Sequence, residues 1–395
     1  MIVNQDFFYS MPTCIEYGVE KYNLLGDISQ QYGDCALIVT YKDKSLLGLV
    51  EKAKLLLKAK NIKSIIFDEV ETNPTHTIVN KGGDLARSES CNLIIGLGGG
   101  SAMDTAKAIS VIATENIDIW EIVEGREITE RSLPVIAIPT TAGTGSEVTK
   151  YAVISNREIH RKEGFAKTEF YPRVAILDPL LTLGLPKPIT AATGMDALTH
   201  AIEAYTTRYA NPISDIFALQ AIQLCAKNLR RATFNGQDLE ARSNMLLANT
   251  FAGIAITHAD TSLAHVIGEA MGAIFNIGHG LSVALTLPAV MEFNCGSNLE
   301  KFATIYKLLE ENPQTLSLRE SARHAPAAVR ELIFDLGLPL GLKSLGIEEN
   351  EEIIWLCSRP GWDAANMRSA SEEDFRLLIK ASLSPEMSYW NQGGL

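Results

Sequence analysis

The sequence predicts a protein of two parts, an N-terminal α/β domain on a parallel sheet followed by an all-helical domain, and three observations carry the prediction. At 395 residues the chain is too long for one ordinary hydrophobic core. Its first half alternates short, continuous apolar runs with segments of helical period, which is the signature of βαβ units. Beyond residue 188 the short runs cease and the period is helical almost throughout.

Taken in order, CALIVTY (35–41), SIIFDEV (64–70), CNLIIGLGGG (91–100) and PVIAIPT (134–140) are apolar without alternation, as strands covered on both faces should be. LLGLVEKAKLLLKAKN (46–61) and TIVNKGGDLARS (77–88) lie between them with helical spacing. VAILDPLLTLGLPKP (174–188) closes the region, and its prolines disfavour helix in the residues before them. The expected domains are therefore 1–185 and 186–395. DALTHAIEAYTTR, SDIFALQAIQLCAKNLRRA, SNMLLANTFAGIAI and LEKFATIYKLLEE are the helices expected in the second.

Bulk properties narrow the function. A net charge of -12 speaks against nucleic acid or an anionic membrane as partner. No run of eighteen apolar residues is present, and MIVNQDFFYSMP has neither a basic nor an apolar signal region. Six scattered cysteines without a CxxC pair read as reduced thiols. A soluble cytoplasmic protein is expected.

Two loops suit a phosphate-bearing ligand. GLGGGSAMDTAKA (96–108) follows a strand and opens a helix, so Gly98, Gly99 and Gly100 let the backbone approach an anion closely, with Ser101 and the helix N–H groups behind. A plain strand-to-helix turn is the other reading. PTTAGTGSEVT (139–149) brings hydroxyls and glycines to the end of another buried run. Two such loops in one α/β sheet point to a dinucleotide site. Further on, Asp196 and His200 in GMDALTHAIEAY are four apart on one helical face. HVIGEAMGAIFNIGHG adds His265 and His279, from a chain with only seven histidines. One carboxylate and three imidazoles make a ligand set suited to Zn²⁺ or Fe²⁺.

These motifs in this order, GGGSAMDTAK, PTTAGTGSEVT, ILDP, GMDALTHAIEAY and HVIGEAMGAIFNIGHG, resemble the iron-containing (group III) alcohol dehydrogenases, relatives of dehydroquinate synthase. The resemblance implies a dehydroquinate synthase-like fold, with a dinucleotide-binding domain, a helical metal-binding domain and an active site in the cleft between them. It implies Asp196, His200, His265 and His279 as metal ligands. It also implies cofactor contacts from Asn73, Gly98, Gly99, Gly100, Ser101, Asp104, Thr140, Thr141, Thr144 and Thr149, with Lys162 near the nicotinamide ribose. The implied activity is hydride transfer between NAD or NADP and a small primary alcohol or aldehyde. Diols, lactaldehyde-like compounds and phosphonate- or sulfonate-bearing aldehydes are all compatible, and a homodimer is expected. Dehydroquinate synthase-like lyase chemistry and a non-catalytic metal- or nucleotide-binding role are the alternatives.

Two positions depart from the family pattern. Tyr41 stands where many members place an acid for the adenosine ribose, so a 2′-phosphate is not repelled and the choice between NAD and NADP stays open. Glu269 stands where many carry a histidine, one turn after His265. There it can relay a proton or orient His265, or line the site passively.

Overall fold

The computed structural model describes residues 6–310, 313 and 315–392. Residues 1–5, which begin the stretch read above for a signal peptide, lie outside them. Ser10–Leu185 forms one compact unit and the other described residues form a second. Residues 6–9 go with the second, where Tyr9 stacks on His258 at a centroid separation of 4.3 Å.

In the first unit six strands make one parallel sheet: β1 (Cys14–Tyr17), β2 (Cys35–Val39), β3 (Lys63–Phe67), β4 (Leu93–Gly98), β5 (Val135–Pro139) and β8 (Val174–Leu177). Their order is β1-β8-β5-β4-β2-β3. A separate hairpin joins β6 (Tyr151–Asn156) to β7 (Arg161–Ala166). The continuous apolar runs divide by parity, because alternate side chains point to opposite faces. Leu37, Val39 and Ile94 enter one core, whereas Ala36, Ile38, Leu93, Ile95 and Leu97 enter the other. Helices cover both: α1 (Leu25–Ser29) and α2 (Leu47–Lys58) on the second face, α3 (His76–Ser88), α4 (Gly100–Glu115) and α5 (Ile119–Val123) on the first.

That arrangement locates the binding end. β2 has β3 on one side, and the chain then returns to place β4 on its other side. A doubly wound sheet opens a crevice at such a reversal, outside the carboxyl ends of the two strands. The loops after β2 and β4 carry Tyr41 and Gly98–Ser101.

The second unit contains α6 (Lys187–Thr206), α7 (Pro212–Phe234), α8 (Leu239–Ala259), α9 (Leu263–Phe275), α10 (His279–Cys295), α11 (Leu299–Leu309), α12 (Leu318–Asp335), α13 (Glu351–Cys357) and α14 (Glu372–Ser382). The Leu185-Pro186-Lys187-Pro188 stretch starts α6 with proline in its first turn, where the missing N–H costs nothing.

Candidate active site

Along its second half α6 has no solvent face, for every residue from Gly194 to Thr206 is buried. Asp196 and His200 stand one turn apart within that stretch. His265 is the third residue of α9 and His279 the first of α10. Each of these four side chains offers a donor atom, and the atoms all lie within 4.8 Å of one another. Asp196 Oδ1 is 3.7 Å from His200 Nδ1 and 3.8 Å from both His265 Nε2 and His279 Nε2. A single glycine permits this convergence. A Cβ at Gly280 would lie 2.4 Å from the Ala192 carbonyl oxygen and 3.3 Å from Asp196 Cβ, so a larger residue would push the start of α10 off α6.

The set fits a metal. Its separations exceed hydrogen-bond length. Around a tetrahedral ion with bonds of about 2.1 Å, donor atoms stand roughly 3.4 Å apart, so only a small inward movement is needed. His265 Nε2 is buried and has no hydrogen-bond partner among the described residues. One carboxylate with three imidazoles suits Fe²⁺ or Zn²⁺.

Glu203 sets the orientation of His265. It lies on α6 one turn beyond His200, 1% exposed, and its Oε2 is 2.5 Å from His265 Nδ1. The same carboxylate accepts from the backbone N–H of Ser262 at 3.0 Å and of Ala264 at 2.7 Å. It thus satisfies the start of α9, where the helix dipole favours negative charge, while leaving His265 Nε2 directed at Asp196. Burial is the largest influence and disfavours a charged His265 ring, but the Glu203, Asp196 and Glu269 carboxylates together outweigh it and raise the imidazole pKa above its ordinary value.

In the α/β unit, Gly98 ends β4 at φ 153°, and a Cβ there would come within 2.8 Å of Ala102 Cβ and 3.0 Å of the Tyr41 ring. Gly99 precedes α4, whose first turn contains Gly100 and Ser101, and Ser101 hydrogen-bonds the Tyr41 hydroxyl. The second loop packs directly on the first. The Thr140 N–H donates to the Gly98 carbonyl at 2.9 Å, Thr141 lies over Gly99, and a Cβ at Gly100 would be 2.5 Å from Thr144 Cγ2. Asp104 and Thr149 are engaged beneath the loops. Asp104 accepts from Ser146 Oγ at 2.5 Å and from the Val153 N–H at 3.1 Å. Lys107 Nζ donates to the Tyr151 carbonyl at 2.7 Å and to Thr149 Oγ1 at 3.3 Å. Burial drives the Lys107 ammonium down to about 8 against the pull of Asp104 and Glu147. Lys162 on β7 donates to Asn73 Oδ1 at 2.9 Å, and both side chains are buried.

Comparison with known proteins bears on both parts. Residues 12–179 match the family model of the iron-containing alcohol dehydrogenase, and residues 190–383 match that of the Fe-containing alcohol dehydrogenase family, C-terminal. The chain belongs to the iron-containing alcohol dehydrogenase family. It is 40% identical over 384 residues to a 1,3-propanediol dehydrogenase of Citrobacter freundii, covering 96% of this chain and 97% of that one. It is 36% identical over 351 residues to the NAD-dependent methanol dehydrogenase of Bacillus methanolicus, covering 88% and 92%. The crystal structure of a 1,3-propanediol oxidoreductase superposes with a TM-score of 0.92 at 37% identity, covering 96% of this chain and all of that one.

This iron-containing alcohol dehydrogenase is therefore an oxidoreductase, and neither the lyase nor the non-catalytic alternative describes it. Within the helical unit the four expected ligands converge. Within the α/β unit Asn73 meets Lys162, Tyr41 lies against Gly98 and Gly99, Thr141 against Gly99 and Thr144 against Gly100. Glu269 lies half-buried on α9, one turn beyond His265. It is Glu203 that takes the orienting role considered for Glu269. The signal for Glu203 was its place in AIEAY, on the same helical face as Asp196 and His200. Lys107 was likewise missed, since a lysine in a helix ordinarily reads as solvated.

Proposed function

We propose that Asp196, His200, His265 and His279 hold one divalent metal, Fe²⁺ or Zn²⁺, and that the enzyme interconverts a small uncharged primary alcohol or diol with its aldehyde. The convergence of four donor atoms within 4.8 Å carries this reading. When bound, the metal supplies Lewis acidity toward the substrate oxygen, and the nicotinamide exchanges the hydride. The protein supplies the rest. Glu203 keeps His265 Nε2 available by holding the ring at Nδ1. Gly98–Ser101, Thr140, Thr141 and Thr144 receive the dinucleotide phosphates, Asp104 and Thr149 hold those loops in place, and Lys162 with Asn73 steadies the nicotinamide ribose. The propanediol and methanol relatives support the choice of uncharged substrates.

Tyr41 leaves a 2′-phosphate unrepelled, so NADH and NADPH are both expected to support turnover. Six free thiols suit a reducing cytoplasm, and β1, an edge strand with Ile15 exposed, offers a surface for a homodimer. Purified enzyme is expected to contain one metal per chain and to oxidise both cofactors with short aldehydes. Activity should vanish on chelation and return with Fe²⁺ or Zn²⁺ alone. Turnover that survives complete metal removal would refute the ligand assignment.

Glu269 is proposed to pass a proton to or from the substrate oxygen. Glu269→Gln is expected to lower kcat by about 10²-fold with metal content unchanged, and to remove one limb of the pH profile. A profile of unaltered shape would leave Glu269 a passive wall of the site.

A further inference from the structure

The Glu203 carboxylate does not end at His265. Ser262 Oγ lies 3.1 Å from Glu203 Oε1 and 3.1 Å from Asn366 Oδ1, so its one hydroxyl proton is shared between two acceptors. Asn366 comes from the segment between α13 and α14 and is 1% exposed. Its Oδ1 also accepts from Asn294 Nδ2 at 2.7 Å, while its Nδ2 donates to Asn294 Oδ1 at 2.9 Å and to the Arg368 carbonyl at 2.6 Å. The amide therefore makes two bonds as acceptor and two as donor, the full capacity of an asparagine. Asn294 is near the end of α10, the helix that begins with His279, and Ser262 directly precedes α9, which carries His265. Arg208 Nε, from the segment following α6, donates to the Asn366 carbonyl at 2.8 Å.

We infer that Asn366 is a positioning residue for the metal centre. It touches no ligand. Through Asn294 it holds α10, and through Ser262 and Glu203 it holds the start of α9 and the His265 ring. One side chain thereby ties the end of α10, the helix that begins with His279, to the start of α9, which carries His265. A buried amide with every bond made is well suited to this, since any shift of either helix leaves polar groups unpaired. Its neighbours in the chain offer no competing explanation, because the backbone of the segment is held separately by the Arg208 bonds to Ala365 and Asn366.

The inference rests on the metal assignment proposed above, and the test separates the two. Zn²⁺ or Co²⁺ is titrated into apo full-length protein by competition with a chromophoric chelator, for wild type, His265→Ala, Asn366→Asp and Ser262→Ala. Asn366→Asp preserves shape but turns a donor into an acceptor facing the Asn294 and Arg368 oxygens. Ser262→Ala removes only the hydroxyl that links Asn366 to Glu203. Metal dissociation constants are expected to rise by about 10- to 100-fold in Asn366→Asp and less in Ser262→Ala. The visible spectrum of the Co²⁺ form should change in both, with NADH binding unaltered. If wild type binds tightly and His265→Ala does not, while both variants keep the wild-type constant and spectrum, the inference is overturned. Equal binding by wild type and His265→Ala would instead overturn the metal assignment. Should Asn366→Asp not fold, Ser262→Ala decides by the same readings.

Discussion

Replacing His265 with alanine is expected to strip the metal and reduce turnover by about 10³-fold or more, because Lewis-acid stabilisation is worth several kcal/mol and each 1.36 kcal/mol is about tenfold. The reason is local. His265 stacks on His200 at 4.3 Å and meets His279 edge-on at 5.3 Å, so it stands in the middle of the set. Its loss opens a gap between the other two rings and leaves Glu203 Oε2 without its ring partner. The α/β unit has its own cores and should remain folded. Metal analysis, NADH titration and circular dichroism on the same sample check all three expectations. Full metal content in the variant would show that the cluster is held together for another purpose.

Removal of the Glu203 carboxylate should have the largest effect on stability. Glu203→Ala leaves the N–H groups of Ser262 and Ala264 and the Nδ1 of His265 without their acceptor in a buried place. An unsatisfied buried donor costs about 1–3 kcal/mol, so the three together are expected to cost at least about 3 kcal/mol, with metal affinity falling alongside. Glu203→Gln keeps the volume and one acceptor oxygen, so it should fold more stably yet still bind metal more weakly. Denaturant titration of the apo forms measures the first effect and chelator competition the second. An alanine variant as stable as wild type would mean that water replaces the carboxylate freely.

The strands beneath the cofactor loops were legible because burial on both faces leaves an unbroken apolar run, as in LIIGLG and VIAIP. β1 was not, since CIEY is a short edge strand with two exposed residues and no such run. The hairpin of β6 and β7 was missed for a similar reason: RKEGFA is mostly charged or small, and Lys162 is its one buried residue. Asp196 and His200 on α6 could be paired from their spacing of four alone, and the Pro-Lys-Pro stretch marked where that helix begins. His265 and His279 could be proposed only as candidates, because nothing local states what a histidine at a helix start will face.

The sequence by itself determined the class of fold, the places of the glycine- and threonine-rich loops, the donor residues and, through the order of its motifs, the family. Those are properties of local pattern: apolar periodicity, backbone freedom and the chemistry of each side chain. Only the tertiary structure decided that Gly280 lets α10 close on Ala192, that Lys107 holds the second loop from below, that Glu203 meets the His265 ring and that Asn366 meets Asn294. The physical reason is that a carboxylate or amide reads as solvated in a one-dimensional pattern. Its role appears only when packing removes water and its hydrogen bonds must be made between residues 59 to 104 positions apart.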